Sequence, residues 1–130
     1  MTLAQRGSLA VDTAEPAFYV VRVEGTLDRA TATRIVRLVD ARTRMVALGF
    51  TGTRHVLVDL DGVEEVRPGA LEVLRHARHS TDGARMTLHL TGCGGVVAGL
   101  ALRERQGLTA LPQFPTVSVA MGALAERTAR

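Results

Sequence analysis

The chain has no lysine, a single cysteine and few aromatic residues, and each scarcity removes a class of protein. With Cys93 alone, no internal disulfide can form, and a lone thiol fits a reducing cytosol. Aromatics at 3 % leave little to stack on nucleobases. The 16 basic residues, all arginine, are scattered from Arg6 to Arg130 among 13 acids. A formal charge of +3 spread in this way is not the basic stripe of a nucleic-acid binder, so no nucleic-acid partner is expected. No apolar run approaches the ~20 residues of a membrane-spanning helix, and the stretch from Val96 to Leu102 is broken by Gly99. The first six residues, Met1 to Arg6, lack an apolar h-region. The expectation is a cytoplasmic protein without membrane insertion.

What remains is an ordinary globular balance. Of 130 residues, 46 % are hydrophobic and 22 % charged, enough for one domain with one core, about residues 8–126. Ser8 to Asp12 reads as a short strand, Thr13 to Pro16 as a turn, and Phe18 to Val23 as a second, β-branched strand. Glu24 to Asp28 then leaves the sheet, and Asp28 can cap the helix that follows. That helix runs from Arg29 to about Leu48, with Ile35, Leu38, Val39, Met45 and Val46 on one stripe. His55 to Leu60 is nearly continuous apolar, as a strand buried on both faces must be. An acidic stretch, Asp61 to Gly69, leads into a second helix that ends near Ser80, and Pro68 suits its first turn. Its inner face is Ala70, Val73, Leu74 and Ala77; Glu72, Arg75, His76 and His79 lie outside.

Met86 to Leu90 is a further strand, and Gly92-Cys93-Gly94-Gly95 leads to a third helix with Val97, Leu100 and Ala101 inward. Leu108 to Leu111 reads as a brief edge strand between helix and prolines. Thr116 can cap a last helix carrying Val117, Ala120, Met121 and Leu124. The order β-β-α-β-α-β-α-β-α, about five strands and four helices, demands an α/β domain with a mixed sheet.

Three stretches resemble the STAS family, the domain of anti-sigma factor antagonists. Val23-Glu24-Gly25-Thr26-Leu27-Asp28-Arg29-Ala30-Thr31-Ala32 is similar to its strand-turn-helix pattern G-x-L-D-x-x-T/N. Val56-Leu57-Val58-Asp59-Leu60-Asp61-Gly62-Val63 is similar to its central strand and the "DLSGV" that follows. Gly107 to Thr116 resembles its closing "TGLxxLFxxYPS". Together they lie within about residues 8–126, nearly the whole chain.

The resemblance implies a non-catalytic regulatory module that binds an anti-sigma factor or kinase-like protein. In the family, the partner kinase phosphorylates a serine in a D-S-S/T-G motif at the start of the second helix, and binding is lost. A phosphate adds about −1.5 to −2 charge at pH 7 to a surface that must sit flush. Here Arg67, Pro68, Gly69 and Ala70 occupy that motif, with Pro68 at the serine and Gly69 at its hydroxylated neighbour. Neither can accept phosphate, and Arg67 replaces an acid. The expected docking surface comprises Asp28, Thr31, Glu64, Glu65, Arg67, Glu72, Arg75, His76 and His79. Phosphorylation could have moved to Ser80, Thr81 or Thr31. The rival reading is an accessory or small-ligand-sensing subunit of a larger complex, such as a stressosome or a lipid-transport assembly.

Other constellations carry less. Cys93 precedes a helix N-terminus, where partial positive charge can lower a thiol pKa, but no catalytic partner is visible. The nearby glycines lack the lysine of a phosphate-binding loop. His76 and His79 share an exposed helix face while His55 and His89 are on strands, so four converging zinc ligands are not supplied. Neither a metal nor another cofactor is expected. Asp59, Asp61, Glu64 and Glu65 form an acidic rim without an evident cleft.

Overall fold

The computed structural model describes residues 7–97, 99–100, 102–109 and 111–129. Its frame is one mixed five-stranded sheet in the order β1-β2-β3-β4-β5. β1 (Ser8–Asp12) and β2 (Phe18–Leu27) form an antiparallel hairpin; β3 (His55–Val66), β4 (Thr87–Thr91) and β5 (Gln113–Phe114) follow in parallel. The helices are α1 (Arg29–Ala47), α2 (Ala70–Gly83), α3 (Gly94–Val97), α4 (Leu102–Thr109) and α5 (Val117–Ala129). The α/β class and the mixed sheet are as expected, and the single third helix becomes two short ones.

The two faces of β3 carry two clusters, because side chains alternate along a strand. Val56, Val58 and Leu60 join Ile35 and Val39 of α1 and Leu71 and Leu74 of α2 in the main core. On the other face, Leu57 joins Phe18 and Val20 under Ala120 and Leu124 of α5. A strand covered by helices on both sides has no polar face, which is why His55 to Leu60 is so apolar.

Several boundaries differ from the expectation. β2 does not leave the sheet at Glu24; it stays paired with β3 to Leu27↔Val66, with register shifts between Arg22 and Glu24 and between Gly25 and Thr26. Gly62 allows this, since a Cβ there would lie 2.8 Å from Glu24 Cγ and 3.0 Å from the Val23 carbonyl oxygen. Glu64 and Glu65 therefore sit on a strand and not in a loop. Within α1, Met45 is exposed and Thr31, Ala32 and Thr43 take buried places. In α2, Leu71 is buried and Val73 only half so. Leu108 closes α4 and does not open a strand; Leu111 is buried after it, and the edge strand is Gln113–Phe114. Leu100 is buried between α3 and α4, while Ala101 and the Val97 side chain lie outside the described residues.

Candidate docking surface

The turn before α2 is built by backbone constraints. At the end of β3 the Arg67 amide donates to the Leu27 carbonyl at 2.8 Å, tying the turn to the end of β2. Ala70 N–H closes the turn on the Arg67 carbonyl at 3.2 Å. Gly69 is the N-cap of α2 in the left-handed region, φ +86°, without a side-chain cap. Its amide donates to the Glu104 carboxylate of α4 at 3.4 Å. Thus Pro68 and Gly69 precede the helix and do not form its first turn. Pro68 is exposed, Gly69 half-buried and Ala70 fully buried.

Around this turn the charged residues are arranged as pairs and caps. Arg67 lies 3.4 Å from Glu65, both exposed. Such an exposed pair contributes little stability, so its use is in surface charge. Asp28 accepts from the Thr31 amide at 2.7 Å as the α1 cap. That bond, chiefly, holds its carboxyl below the usual carboxylate range, with the Arg67 charge helping. Glu72 sits in the first turn of α2, where a negative charge complements the helix dipole.

The exposed face of α2 continues the surface. Glu72, Arg75, His76 and His79 are all exposed, and at 100° per residue they span about 100° of arc. Arg75 and His79 join Arg78, Asp82 and Leu111 around a shallow cleft of about 250 Å³. Glu64 is exposed on β3. Eight of the nine expected docking residues thus reach solvent. Thr31 does not: it is 4 % exposed, and a Cβ on Gly7 would fall 2.8 Å from its side chain. It is a packing residue under Gly7, and this corrects its place in the surface.

The relocated phosphate acceptors fare alike. Thr81 is fully buried and its hydroxyl donates to the Arg78 carbonyl at 2.9 Å. Ser80 is half-buried, its hydroxyl donating to the Asp40 carboxylate. Cys93 is also inward, and burial, with Asp59 nearby, pushes its thiol up to about 11. α3, which follows it, has only four residues. The sequence missed Glu104 and also Arg29, whose side chain lies against Gly69. Glu104 meets Gly69 across 35 positions, which no local pattern encodes; Arg29 was visible only as the residue after a cap.

Beside the start of α5, at the middle of β3, a cavity of about 500 Å³ is lined by Arg22, Asp59, Asp61, Gly92 and Thr116. Asp59 takes 3.1 Å and 2.9 Å bonds there from Arg22 and the Thr91 hydroxyl.

No family model matches the chain, and no curated protein matches it. Solved structures do. An anti-sigma factor antagonist from Mycobacterium paratuberculosis superposes with TM-score 0.64 at 20 % identity, covering 95 % of this chain and 97 % of that one. The fold is that of a STAS domain. The Bacillus cell fate determinant SpoIIAA, in its phosphorylated form, gives TM-score 0.61 at 10 % identity, covering 90 % and 99 %. The murine anion transporter Slc26a9 gives 0.58 at 13 % identity; there the match covers 92 % of this chain but 22 % of the transporter. The same STAS domain fold therefore occurs alone and as part of a larger chain. Among the described residues no helix is long and apolar enough to cross a membrane.

Proposed function

We propose that this STAS domain is a non-catalytic, cytoplasmic binding module that docks an anti-sigma factor or kinase-like protein without the usual serine switch. The observation that carries this reading is the turn Arg67-Pro68-Gly69. It presents an exposed Pro68 beside a solvent-facing α2, on a fold shared with anti-sigma factor antagonists. A partner that covers this turn meets no hydroxyl that a kinase could esterify. Binding is then set by the partner's abundance, or by control exerted on the partner. Anchors at the centre of such a surface carry most of the affinity, and Arg75 and His79, flanking the Leu111 cleft, are the candidates.

The test is recovery of partners on the immobilised chain, with Arg75→Glu and His79→Glu as comparison. An ATP-binding, kinase-like protein that is retained by the native chain and lost from both variants supports the reading. Labelling of the native chain by that partner with radioactive ATP would defeat the claim that phosphorylation control is absent. The second reading, an accessory subunit of a larger assembly, is favoured by the likeness to one part of Slc26a9. It predicts recovery with a transporter or a multi-subunit scaffold, unaffected by either α2 variant.

A further inference from the structure

The edge of the sheet at β1 and the outer side of α1 form a groove separate from the α2 surface. Among the described residues β1 pairs with β2 alone, so its other side ends the sheet they form. An edge strand turns unpaired N–H and C=O groups outward, and proteins often guard such edges with proline or charge. β1, Ser-Leu-Ala-Val-Asp, has no proline, and its one charge is at its end. Leu9 and Val11 stand opposite Val23 and Val21, residues of the main core, and so share the sheet face that α1 covers. Leu9 packs on that core, whereas Val11 is 45 % exposed. With Leu38, Arg34 and Arg37 of α1 they line an open groove of about 410 Å³.

The floor of this groove is apolar and its rim is cationic, with no acid among the lining residues. Arg34 spends one N–H on the Gly7 carbonyl at 3.3 Å. A guanidinium has five, so donors remain. We infer that the β1 edge accepts an extended segment of a partner protein as an added strand. The segment's groove-facing positions carry an apolar side chain flanked by carboxylates. Main-chain bonds to the edge supply affinity, and alternate side chains supply selection. Val11 and Leu38 receive the apolar group; Arg34 and Arg37 receive the acids. A second copy of this chain fits worse. Two-fold pairing of β1 with itself repeats the same surface on both sides, and would bring two arginine rims to one junction without a carboxylate between them.

The probe is the fluorescein-labelled peptide Thr-Glu-Thr-Val-Thr-Glu-Thr, titrated with the whole chain and followed by anisotropy. Saturable binding is expected. Lysine in place of both glutamates should weaken it roughly tenfold, the size of two part-exposed charge pairs. Proline in place of the two inner threonines should abolish it by removing strand donors. Arg37→Glu should reverse the preference between the acidic and lysine peptides. Val11→Lys, at an exposed site and checked for native far-UV circular dichroism, should remove binding. Equal binding of the acidic and lysine peptides, or no response to Arg37→Glu, overturns the inference. Loss on Arg75→Glu also overturns it, since the peptide would then sit on α2. So does a dimer in sedimentation that Val11→Lys dissociates, which would make the second copy the occupant.

Discussion

Arg22 of β2 and Asp59 of β3 are register partners across the parallel pair, and their side chains meet at 3.1 Å. The two ends of this contact are unlike: the Arg22 side chain is 45 % exposed and that of Asp59 only 10 %. Asp59 also accepts from the Thr91 hydroxyl at 2.9 Å and the Asp61 amide at 3.4 Å. Removing Arg22 therefore leaves a carboxylate that still has two donors and some water. Arg22→Ala is expected to cost about 1 kcal/mol, near the exposed-pair range. Asp59→Ala strands the buried Thr91 hydroxyl as well and should cost about 2–3 kcal/mol. Urea unfolding of both singles and the double variant checks this, with a coupling of about 1 kcal/mol expected.

Acid should loosen the α5 side of the sheet first. His89 is buried, and neither ring nitrogen has a hydrogen-bond partner among the described residues; its ring meets Phe114 at 5.2 Å. Burial, then the charges of His55, Arg127 and Arg78, holds its pKa below the ordinary 6.5. His55, with Nδ1 2.7 Å from the Thr87 hydroxyl, is lowered by burial and by Arg54. A histidine with a lowered folded pKa takes up its proton more readily when unfolded. Its contribution is complete above about 6.5 and is lost as pH falls through the folded value. Unfolding free energy should therefore decline from pH 7.5 to 5. His89→Leu should flatten that slope and raise stability at pH 5. An unchanged slope in this variant would remove His89 as the cause.

How far the sequence reached can be judged at particular residues. α1, β3 and α2 were legible because Ile35, Val39, Leu74 and Ala77, and the Val56–Leu60 run, are apolar at the proper spacing. The end of β3 was not. Asp61, Glu64 and Glu65 look like a loop, and only the contact of Gly62 with Glu24 and Val23 shows why the strand continues. The segment after Leu100 misled for a different reason. Leu108 and Leu111 are three apart, and Leu111 N–H bonds the Leu108 carbonyl at 3.1 Å, a turn at the end of α4. The real edge strand, Gln113–Phe114, is held by the flanking prolines. Their carbonyls accept from Leu90 and Gly92 at 2.9 Å and 3.1 Å. Of the docking surface, the α2 face followed from periodicity. Thr31 was misplaced because the burial beneath Gly7 is a tertiary contact.

Cys93 should behave as an inert thiol. It is 5 % exposed and its pKa is pushed up to about 11, first by burial and then by Asp59. At pH 7 that leaves roughly one molecule in 10⁴ as thiolate, against a few per cent for a free cysteine. Iodoacetamide labelling of the native chain is expected to be slower by two orders of magnitude or more than in urea. Native labelling as fast as in urea would restore a reactive cysteine.

Rebuilding a phosphate acceptor in the turn before α2 should succeed at one position and fail at the other. Pro68 is exposed, so Pro68→Ser removes only a restraint on the unfolded chain, about 0.5–1 kcal/mol. Gly69 is at φ +86°, and a Cβ there would stand 3.1 Å from Cδ and Nε of Arg29. The arginine can swing away, but the left-handed backbone remains strained for an L-residue by about 1–2 kcal/mol. Gly69→Ser should therefore unfold at lower urea than Pro68→Ser. With a kinase-like partner in hand, Pro68→Ser, helped by Arg67→Asp, should take up phosphate and then lose that partner, because about two negative charges would enter the contact. Partner binding by phosphorylated Pro68→Ser as tight as by the native chain would mean that this turn lies outside the interface.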